Sequence, residues 1–270
     1  MFKKAIIAFA ALMIVSVIAY FNATAINTKQ LKIREESIYS AKIDEDSDGL
    51  LVAYFSDLYF GEFFMENDLQ NLISKLNAFQ PDLILFGGDL SVPAADREYL
   101  LACLSALDAT YGKYAVCGDL DDERNRAILQ EAGFVLLKNA SNTIDIDRNS
   151  FINLVGLSDL IQGNPDPASA FAGVDSSRFT LVFSHCPDIF SQLNSYDFDY
   201  LLAGHSLGGQ VNLPIISLFR RPDGAKKYFR GKTINGNKTL DISNGVGRTK
   251  SDARLFADSE IVLYTLHSSK

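Results

Sequence analysis

Acidic and imidazole side chains recur at the ends of five short apolar runs in this 270-residue sequence. The side chains are Asp57, Asp89, Asp119, His185 and His205. Each run has the length and composition of a buried β-strand, and the five runs are Leu51–Ser56, Leu83–Phe86, Tyr114–Cys117, Phe179–Phe183 and Tyr200–Ala203. A lone Asp after a strand is usually a turn residue, and a lone His is usually structural. Their recurrence at five strand ends predicts one shared site.

The carboxyl ends of strands in an open α/β sheet are the usual position of a ligand site. Several carboxylates gathered there repel one another unless a cation neutralises them. Carboxylate and imidazole ligands together suit zinc, manganese or iron. Glycines beside Asp89, Asp119 and His205 leave room for tight backbone turns and for a ligand. The five side chains therefore predict a transition-metal site.

Elements of two kinds must position these residues. In the first half, buried runs alternate with segments of helical spacing, such as Leu69–Leu76, which indicates an α/β protein. In the second half, Thr143–Ile146 and Phe151–Val155 flank a polar turn and predict a hairpin. Two terminal runs, Leu240–Ser243 and Ile261–Leu266, predict the last strands. The pattern favours two packed sheets with helices outside.

From about residue 50 to its end, the chain resembles the calcineurin-like metallophosphoesterase family, most of all its small membrane-associated bacterial branch. The resemblance is carried by five ordered segments, which are Ser56-Asp57-Leu58-Tyr59-Phe60-Gly61, Pro81-Asp82-Leu83-Ile84-Leu85-Phe86-Gly87-Gly88-Asp89-Leu90, Gly118-Asp119-Leu120-Asp121, Ser184-His185-Cys186-Pro187-Asp188 and Gly204-His205-Ser206-Leu207-Gly208-Gly209-Gln210. It implies an α/β fold in which two mixed β-sheets and flanking helices form a four-layer αββα sandwich.

The chain departs from the family on one side of the metal centre. The positions of the first family metal are Asp57, Tyr59, Asp89 and Leu207 here. Leucine cannot ligate, and neutral tyrosine is a poor ligand. The positions of the second metal are Asp89, Asp119, His185 and His205, and all four can ligate. The resemblance thus implies one divalent transition metal (Mn, Zn or Fe), assisted by Asp57, and a weak or empty second position.

Two functions follow from the resemblance. The first is metal-dependent hydrolysis of a phosphomonoester, a phosphodiester or a lipid-linked pyrophosphate. Leu120 stands where the family has its catalytic histidine, so Tyr59, Leu120 and Leu207 predict weak or lost turnover. The alternative is a catalytically inactive binding module that recognises phosphate, lipid or a partner protein.

A group of cations follows the Gly204–Gln210 segment. It comprises Arg220, Arg221, Lys226 and Lys227, with Arg230 close by. This group could bind a substrate phosphate or anionic lipid headgroups, or it could be an ordinary solvated loop. The formal net charge of −8 disfavours general nucleic-acid binding.

The N-terminus differs from the rest of the chain. Lys3 and Lys4 precede an uncharged apolar run, Ala5–Phe21, which is near the lower limit for a spanning helix. The two lysines would stay in the cytoplasm and leave the domain outside. Ala23-Thr24-Ala25 also resembles a cleavage site, which would make the protein secreted. We predict an anchor or signal peptide at residues 1–25, a linker at 26–48 and the metallophosphoesterase domain at 49–270. The polar stretch Asn27–Asp48 is also compatible with an early edge strand.

Overall fold

Two six-stranded β-sheets form the centre of the protein in a computed structural model that describes residues 2–93, 96–147, 150–213 and 221–269. The first sheet contains β1 (Leu31–Ser40), β2 (Leu51–Phe55), β3 (Leu83–Phe86), β4 (Lys113–Ala115), β5 (Phe134–Leu136) and β12 (Ser259–Ser268). Their spatial order is β1-β12-β2-β3-β4-β5, and only β12 and β2 pair antiparallel. The carboxyl ends of β2, β3 and β4 therefore share one edge.

The second sheet is built from later strands in the order β10-β11-β9-β8-β7-β6. It contains β6 (Ala140–Asp147), β7 (Ser150–Gly156), β8 (Phe179–Phe183), β9 (Tyr200–Ala203), β10 (Gly231–Asn235) and β11 (Lys238–Ile242). Its four central strands run parallel, and an antiparallel hairpin closes each side. The hairpin expected around residues 143–155 is β6 and β7.

Helices cover the outer faces of both sheets. The helices are α1 (Phe2–Phe21), α2 (Glu66–Phe79), α3 (Arg97–Ser105), α4 (Glu123–Glu131) and α5 (Pro167–Ala170). Apolar side chains of α2, α3 and α4 pack on the first sheet, as Leu72, Leu104 and Ile128 illustrate. The short helix α5 packs on the second sheet through Ala170. The four-layer α/β sandwich of two mixed sheets is confirmed.

Alternation along the strands explains the layering. In β2, Ala53 and Phe55 pack toward the helices, whereas Val52 and Tyr54 face the second sheet. Successive strand residues point to opposite faces, so a strand that is apolar on both faces must lie between two layers. The inter-sheet layer also buries Phe183 of β8 completely. The rigid layer holds both sets of strand ends at one edge.

Part of the segment 26–48, predicted as a linker, lies in the first sheet. Residues Leu31–Ser40 form β1, an edge strand that pairs in parallel with β12 over ten residues. The segment is polar because much of this edge strand faces solvent. Its partner lies 228 positions away in the sequence, at Leu31 opposite Ser259. No local sequence pattern in the segment predicts that β12 is its partner.

The N-terminal helix α1 stands apart from the sandwich. In the described part of the chain, one helical stretch, Phe2–Lys29, is long and apolar enough to cross a membrane. None of its apolar window is buried against the domain. The following turns do pack on the domain, where Ala23 and Thr28 are buried.

Candidate metal centre

Four of the five predicted ligands converge at the shared edge of the two sheets. Asp89, Asp119, His185 and His205 each offer one atom, and these atoms lie within 4.8 Å of one another. The His185 Nε2 atom is 3.3 Å from Asp89 Oδ2 and 3.4 Å from Asp119 Oδ1. The His205 Nδ1 atom is 3.3 Å from the same Asp119 oxygen. Side chains from four strand ends thus surround one point.

Backbone carbonyls fix how the two imidazoles present their nitrogens. His185 Nδ1 donates to the carbonyl of Gly87 at 2.8 Å, and His205 Nε2 donates to the carbonyl of Asp223 at 2.6 Å. A carbonyl only accepts, so in the neutral rings the lone pairs sit on the other nitrogens. Those nitrogens lie 3.1 Å apart and face the carboxylates. Such outer hydrogen bonds are typical of metal-ligating histidines.

A buried oxygen without a hydrogen-bond partner lies in this cluster. Asp119 Oδ1 is enclosed and has no partner at good hydrogen-bond geometry, although both imidazoles are near it. Burial tends to raise the pKa of Asp119, but the close imidazoles of His185 and His205 outweigh it and lower that pKa. An anionic oxygen beside two imidazole lone pairs suits a divalent transition metal. The residues present fit such an ion.

Asp57 lies beside the cluster and reaches it through Tyr59. The Tyr59 hydroxyl donates to Asp89 Oδ2 at 2.7 Å and lies 3.5 Å from Asp57 Oδ1. Asp57 also accepts the backbone N–H of His205 at 3.1 Å and the Ser56 hydroxyl at 2.5 Å. Burial, followed by the negative charges of Asp89 and Asp57, holds the pKa of Tyr59 well above its usual range. A neutral phenol therefore stands between the two carboxylates.

The two leucines at positions where the resemblance implies histidines, Leu120 and Leu207, differ in their surroundings. Leu120 is 51% exposed beside the cluster, and its backbone N–H donates to Asp89 Oδ1 at 3.1 Å. Leu207 is buried, and its carbonyl accepts from the guanidinium of Arg254 at 3.2 Å. Arg254 is itself fully buried among backbone carbonyls. Neither leucine supplies a polar group to the centre.

Backbone geometry at the centre is unusual. Asp57, Tyr59, Asp89, His205 and Leu207 all have positive φ angles between 47° and 67°. This left-handed region costs a non-glycine residue on the order of 1–2 kcal/mol. Strained residues of this kind cluster at functional sites because the surrounding fold holds them.

One glycine shows why small residues flank the ligands. A Cβ on Gly118 would lie 2.1 Å from Asp89 Oδ1. The β3 and β4 loops can therefore meet only if residue 118 has no side chain. This agrees with the prediction that glycines beside the ligands leave room at the site.

Asp121 is a positioning residue to which the sequence analysis assigned no role of its own. Its buried carboxylate accepts the backbone N–H groups of Asp89, Leu90 and Gly118, each at 2.8 Å. Burial and the charge of Asp89 raise the pKa of Asp121 to about 6. The carboxylate therefore links the loop that follows β3 (the β3 loop) to the loop that follows β4 (the β4 loop). Its position two residues after Asp119 was the available signal.

The predicted cationic group adjoins the centre but engages its own loop. Arg220 lies outside the described residues. Arg221 and Lys226 donate to each other's backbone carbonyls at 2.9 and 2.8 Å, and Lys227 donates to Ser191 at 3.2 Å. The Asp188 carboxylate holds this loop in place, because it accepts the backbone N–H groups of Lys226, Lys227 and Tyr228.

Three relatives resemble this chain over most of its length. YkuE of Bacillus subtilis, an uncharacterized metallophosphoesterase, is 28% identical over 259 residues, which cover 93% of this chain and 90% of YkuE. Phosphodiesterase YaeI of Escherichia coli is 29% identical, with 73% of this chain and 74% of YaeI covered. The uncharacterized protein YpbG of Bacillus subtilis is 30% identical, with 73% and 75% covered. No protein-family model matches the chain.

The chain belongs to the calcineurin-like metallophosphoesterase family. The matched length includes the strand ends that carry the Asp and His cluster. Family membership and the cluster together show that this centre could hold a divalent metal. The metallophosphoesterase fold thus accounts for side chains that are far apart in sequence but adjacent here.

The Asp121 contacts generate a first prediction. In Asp121→Asn one carboxylate oxygen becomes an NH₂ group that faces a backbone N–H. We expect a loss of roughly 1–3 kcal/mol in the free energy of unfolding, together with weaker metal binding, measured by denaturant titration and calorimetry. Asp122→Asn is the matched control, since Asp122 caps α4 and Asn caps helices equally well. Equal stability of the two variants would contradict the role of Asp121.

A second prediction concerns protons. Burial tends to lower the pKa of His185, but the charges of Asp89 and Asp119 and their hydrogen bonds raise it well above its usual range. The pKa of His205 is likewise raised, against burial, by Asp119. A metal binds the unprotonated nitrogens, so binding should still release protons above the ordinary pKa of about 6.5. The apparent affinity should rise about tenfold per pH unit for each proton released.

Proton release is measured by calorimetric titration of Mn²⁺ or Zn²⁺ in two buffers that differ in ionisation enthalpy. The His267→Ala variant is the control, because His267 stacks on Tyr39 rather than joining the cluster. An affinity that stays constant between about pH 6.5 and 8 would show that the imidazoles do not hold these protons.

Proposed function

We propose that the protein is a metal-dependent phosphoesterase with a single-metal centre formed by Asp89, Asp119, His185 and His205. The observation that carries the proposal is the inward arrangement of His185 Nε2, His205 Nδ1 and the unpartnered Asp119 Oδ1 around one point. The YaeI relative is named a phosphodiesterase, which favours a phosphodiester among the candidate substrates. A bound divalent metal would lower the pKa of a water molecule and polarise a phosphoryl oxygen.

The chain's own residues supply positioning and charge. The carbonyls of Gly87 and Asp223 keep the outer imidazole nitrogens protonated, so the inner nitrogens stay available. Asp121 holds the β3 and β4 loops at the distance that the cluster needs. Asp57 assists by fixing the backbone of His205. Each of these contacts is in place before any ligand arrives, which limits the reorganisation needed at the reaction step.

The position of Tyr59 supports one metal rather than two. Its hydroxyl hydrogen lies between Asp57 and Asp89, where the resemblance would put the first family metal. Because the pKa of Tyr59 is raised by burial and by these carboxylates, the phenol stays neutral and keeps its proton. Leu207 offers no ligand on the same side. These contacts support a side chain of the protein, rather than a metal, at the first family metal position.

A second candidate function is a binding module without turnover. The observation that favours it is Leu120, whose exposed apolar side chain stands where the family has its catalytic histidine. In this alternative the cleft recognises phosphate, a lipid or a partner protein. Arg221, Lys226 and Lys227 would contribute only if their present loop contacts opened.

We further propose that α1 anchors the protein in a membrane, with Lys3 and Lys4 cytoplasmic and the domain outside. The turns after α1 pack on the domain, and the carbonyl of Ala23 accepts the backbone N–H of Arg254 at 2.8 Å. This packing supports a retained anchor over cleavage near Ala23-Thr24-Ala25, which would leave a secreted domain. The candidate substrates are then phosphorylated molecules or lipids reached outside the cytoplasm.

Metal content tests the single-metal centre. The purified protein, equilibrated with Mn²⁺ or Zn²⁺ and desalted, should hold about one equivalent by elemental analysis, as the four-ligand set implies. His185→Ala should lose that equivalent, whereas His267→Ala should keep it, since His267 lies outside the cluster. Absence of metal in the parent protein under these conditions would defeat the proposal.

Activity tests the catalytic candidate against the binding module. Leu120→His restores a proton donor at an exposed position, so it should raise Mn²⁺-dependent hydrolysis of bis(p-nitrophenyl) phosphate by about 10²–10⁴-fold. Leu120→Asn is the matched control, because it adds polarity but no acid. Equal rates for the two variants, with metal bound in both, would favour the binding module.

A further inference from the structure

Exposed apolar side chains gather where α1 meets the domain. We define the apolar corner as Val211, Leu213, Leu255 and Phe256. Phe256 is 63% exposed, Val211 and Leu213 are each 36% exposed, and Leu255 is half-buried. Val211 and Leu255 are held side by side by a β-bridge. A large exposed aromatic ring within an apolar group commonly marks an interaction surface.

The apolar corner lies beside α1 rather than beyond its end. Leu255 and Phe256 line a cavity of about 450 Å³ together with Val15, Ile18 and Ala19 of the helix. Val15 and Ile18 belong to the uncharged run that gives α1 its spanning length. At 1.5 Å per residue, Val15 is about 9 Å from the end of α1 at Phe21. The corner is therefore level with the apolar part of the helix.

Hydrogen bonds hold the corner and the helix end together. The Arg254 backbone N–H donates to the carbonyl of Ala23 at 2.8 Å, and Asn27 Nδ2 donates to the carbonyl of Arg254 at 3.0 Å. A third bond joins Arg248 Nη1 to the carbonyl of Thr28 at 2.7 Å. The helix and the corner cannot separate without breaking these bonds. A bilayer that holds α1 must meet the corner as well.

Charges around the corner suit a lipid surface. Arg230 is an exposed cation at its border, and its Nη2 donates to the carbonyl of Phe256 at 3.2 Å. The nearby acid Asp258 pairs with Lys32 at 2.6 Å, and Asp252 pairs with Arg248 at 2.8 Å. An exposed aromatic ring beside an arginine is a usual composition of an interfacial membrane contact.

We propose that the apolar corner inserts into the headgroup region of the bilayer that holds α1. The partner is an anionic phospholipid surface, and Phe256 is the residue that enters it most deeply. The contact gives the domain a second point of attachment and fixes its tilt over the membrane. The proposal depends on insertion of α1 but not on phosphoesterase activity, so the two can fail separately.

A single introduced tryptophan can report the environment of its position by fluorescence, because the chain contains no tryptophan of its own. Phe256→Trp is made in the full chain and reconstituted into vesicles of phosphatidylcholine and phosphatidylglycerol in equal parts, with and without brominated acyl chains. Phe21→Trp, at the end of α1, reports helix insertion. Tyr39→Trp is the matched control, because Tyr39 is 67% exposed near the far end of β1. Tyr39 lies about 26 Å along β1 from Leu31, the residue at which the strand begins after the N-terminal helix.

The expected result is a blue-shifted emission for Phe256→Trp, quenched by brominated lipid to about the extent seen for Phe21→Trp. Tyr39→Trp should show neither effect. If Phe21→Trp is quenched while Phe256→Trp behaves like Tyr39→Trp, the helix inserts without the corner and the proposal is overturned. Absence of quenching at both positions also overturns it, since the corner then faces water or a protein. Metal content of each variant verifies the fold.

Discussion

The metal centre brings together the carboxylates of Asp89 and Asp119 and one nitrogen each of His185 and His205. These groups face one another away from bulk water, and such an arrangement requires positive charge between them. The carbonyls of Gly87 and Asp223 hold the outer nitrogen protons, so the inner lone pairs of His185 and His205 meet at 3.1 Å. Coulomb repulsion grows as water is excluded, and only added protons or a metal cation relieve it. The remaining architecture maintains this arrangement. Three features bring the four strand ends close together: the left-handed backbone of the ligand loops, the glycines beside the ligands and the Asp121 carboxylate. At that separation the repulsion between the ligand groups is strong.

The centre is asymmetric, because the cluster contains Asp89, Asp119, His185 and His205 but not Asp57. On the side of the centre where Asp57 lies, the Tyr59 hydroxyl donates a hydrogen bond to Asp89 and also lies within reach of Asp57. Arg254 adds a positive charge near Asp57. Burial lowers the pKa of Arg254 to about 10, partly offset by the charge of Asp57, so the guanidinium stays protonated near neutral pH. A phenol and a guanidinium thus lie where they offset the charge of Asp57.

Much of the fold and the ligand cluster could be predicted because those signals are local. Each strand is a short apolar run, and each ligand stands directly at its end, as Asp89 does after Gly87 and Gly88. Non-local features escaped prediction. The strand β1 is polar, and it is defined by β12 at the opposite end of the chain. Asp121 acquires its role from three N–H groups on two loops. The loop lysines and Arg221 looked available in sequence, yet their partners are carbonyls and hydroxyls that only the folded loop brings near.

Arg254 joins the metal centre to the N-terminal helix through two parts of one residue. Its backbone N–H meets Ala23, and its guanidinium meets the carbonyls of Leu207, Asn244 and Ala257. A buried guanidinium held by several carbonyls cannot move without leaving charge-assisted hydrogen bonds unmade. One buried residue therefore links the loop that follows His205 to the segment that follows α1. With α1 in a bilayer and the apolar corner inserted as proposed, the cluster would sit at a constant height and tilt. That geometry suits a phosphate group presented by the membrane better than one that arrives from any direction.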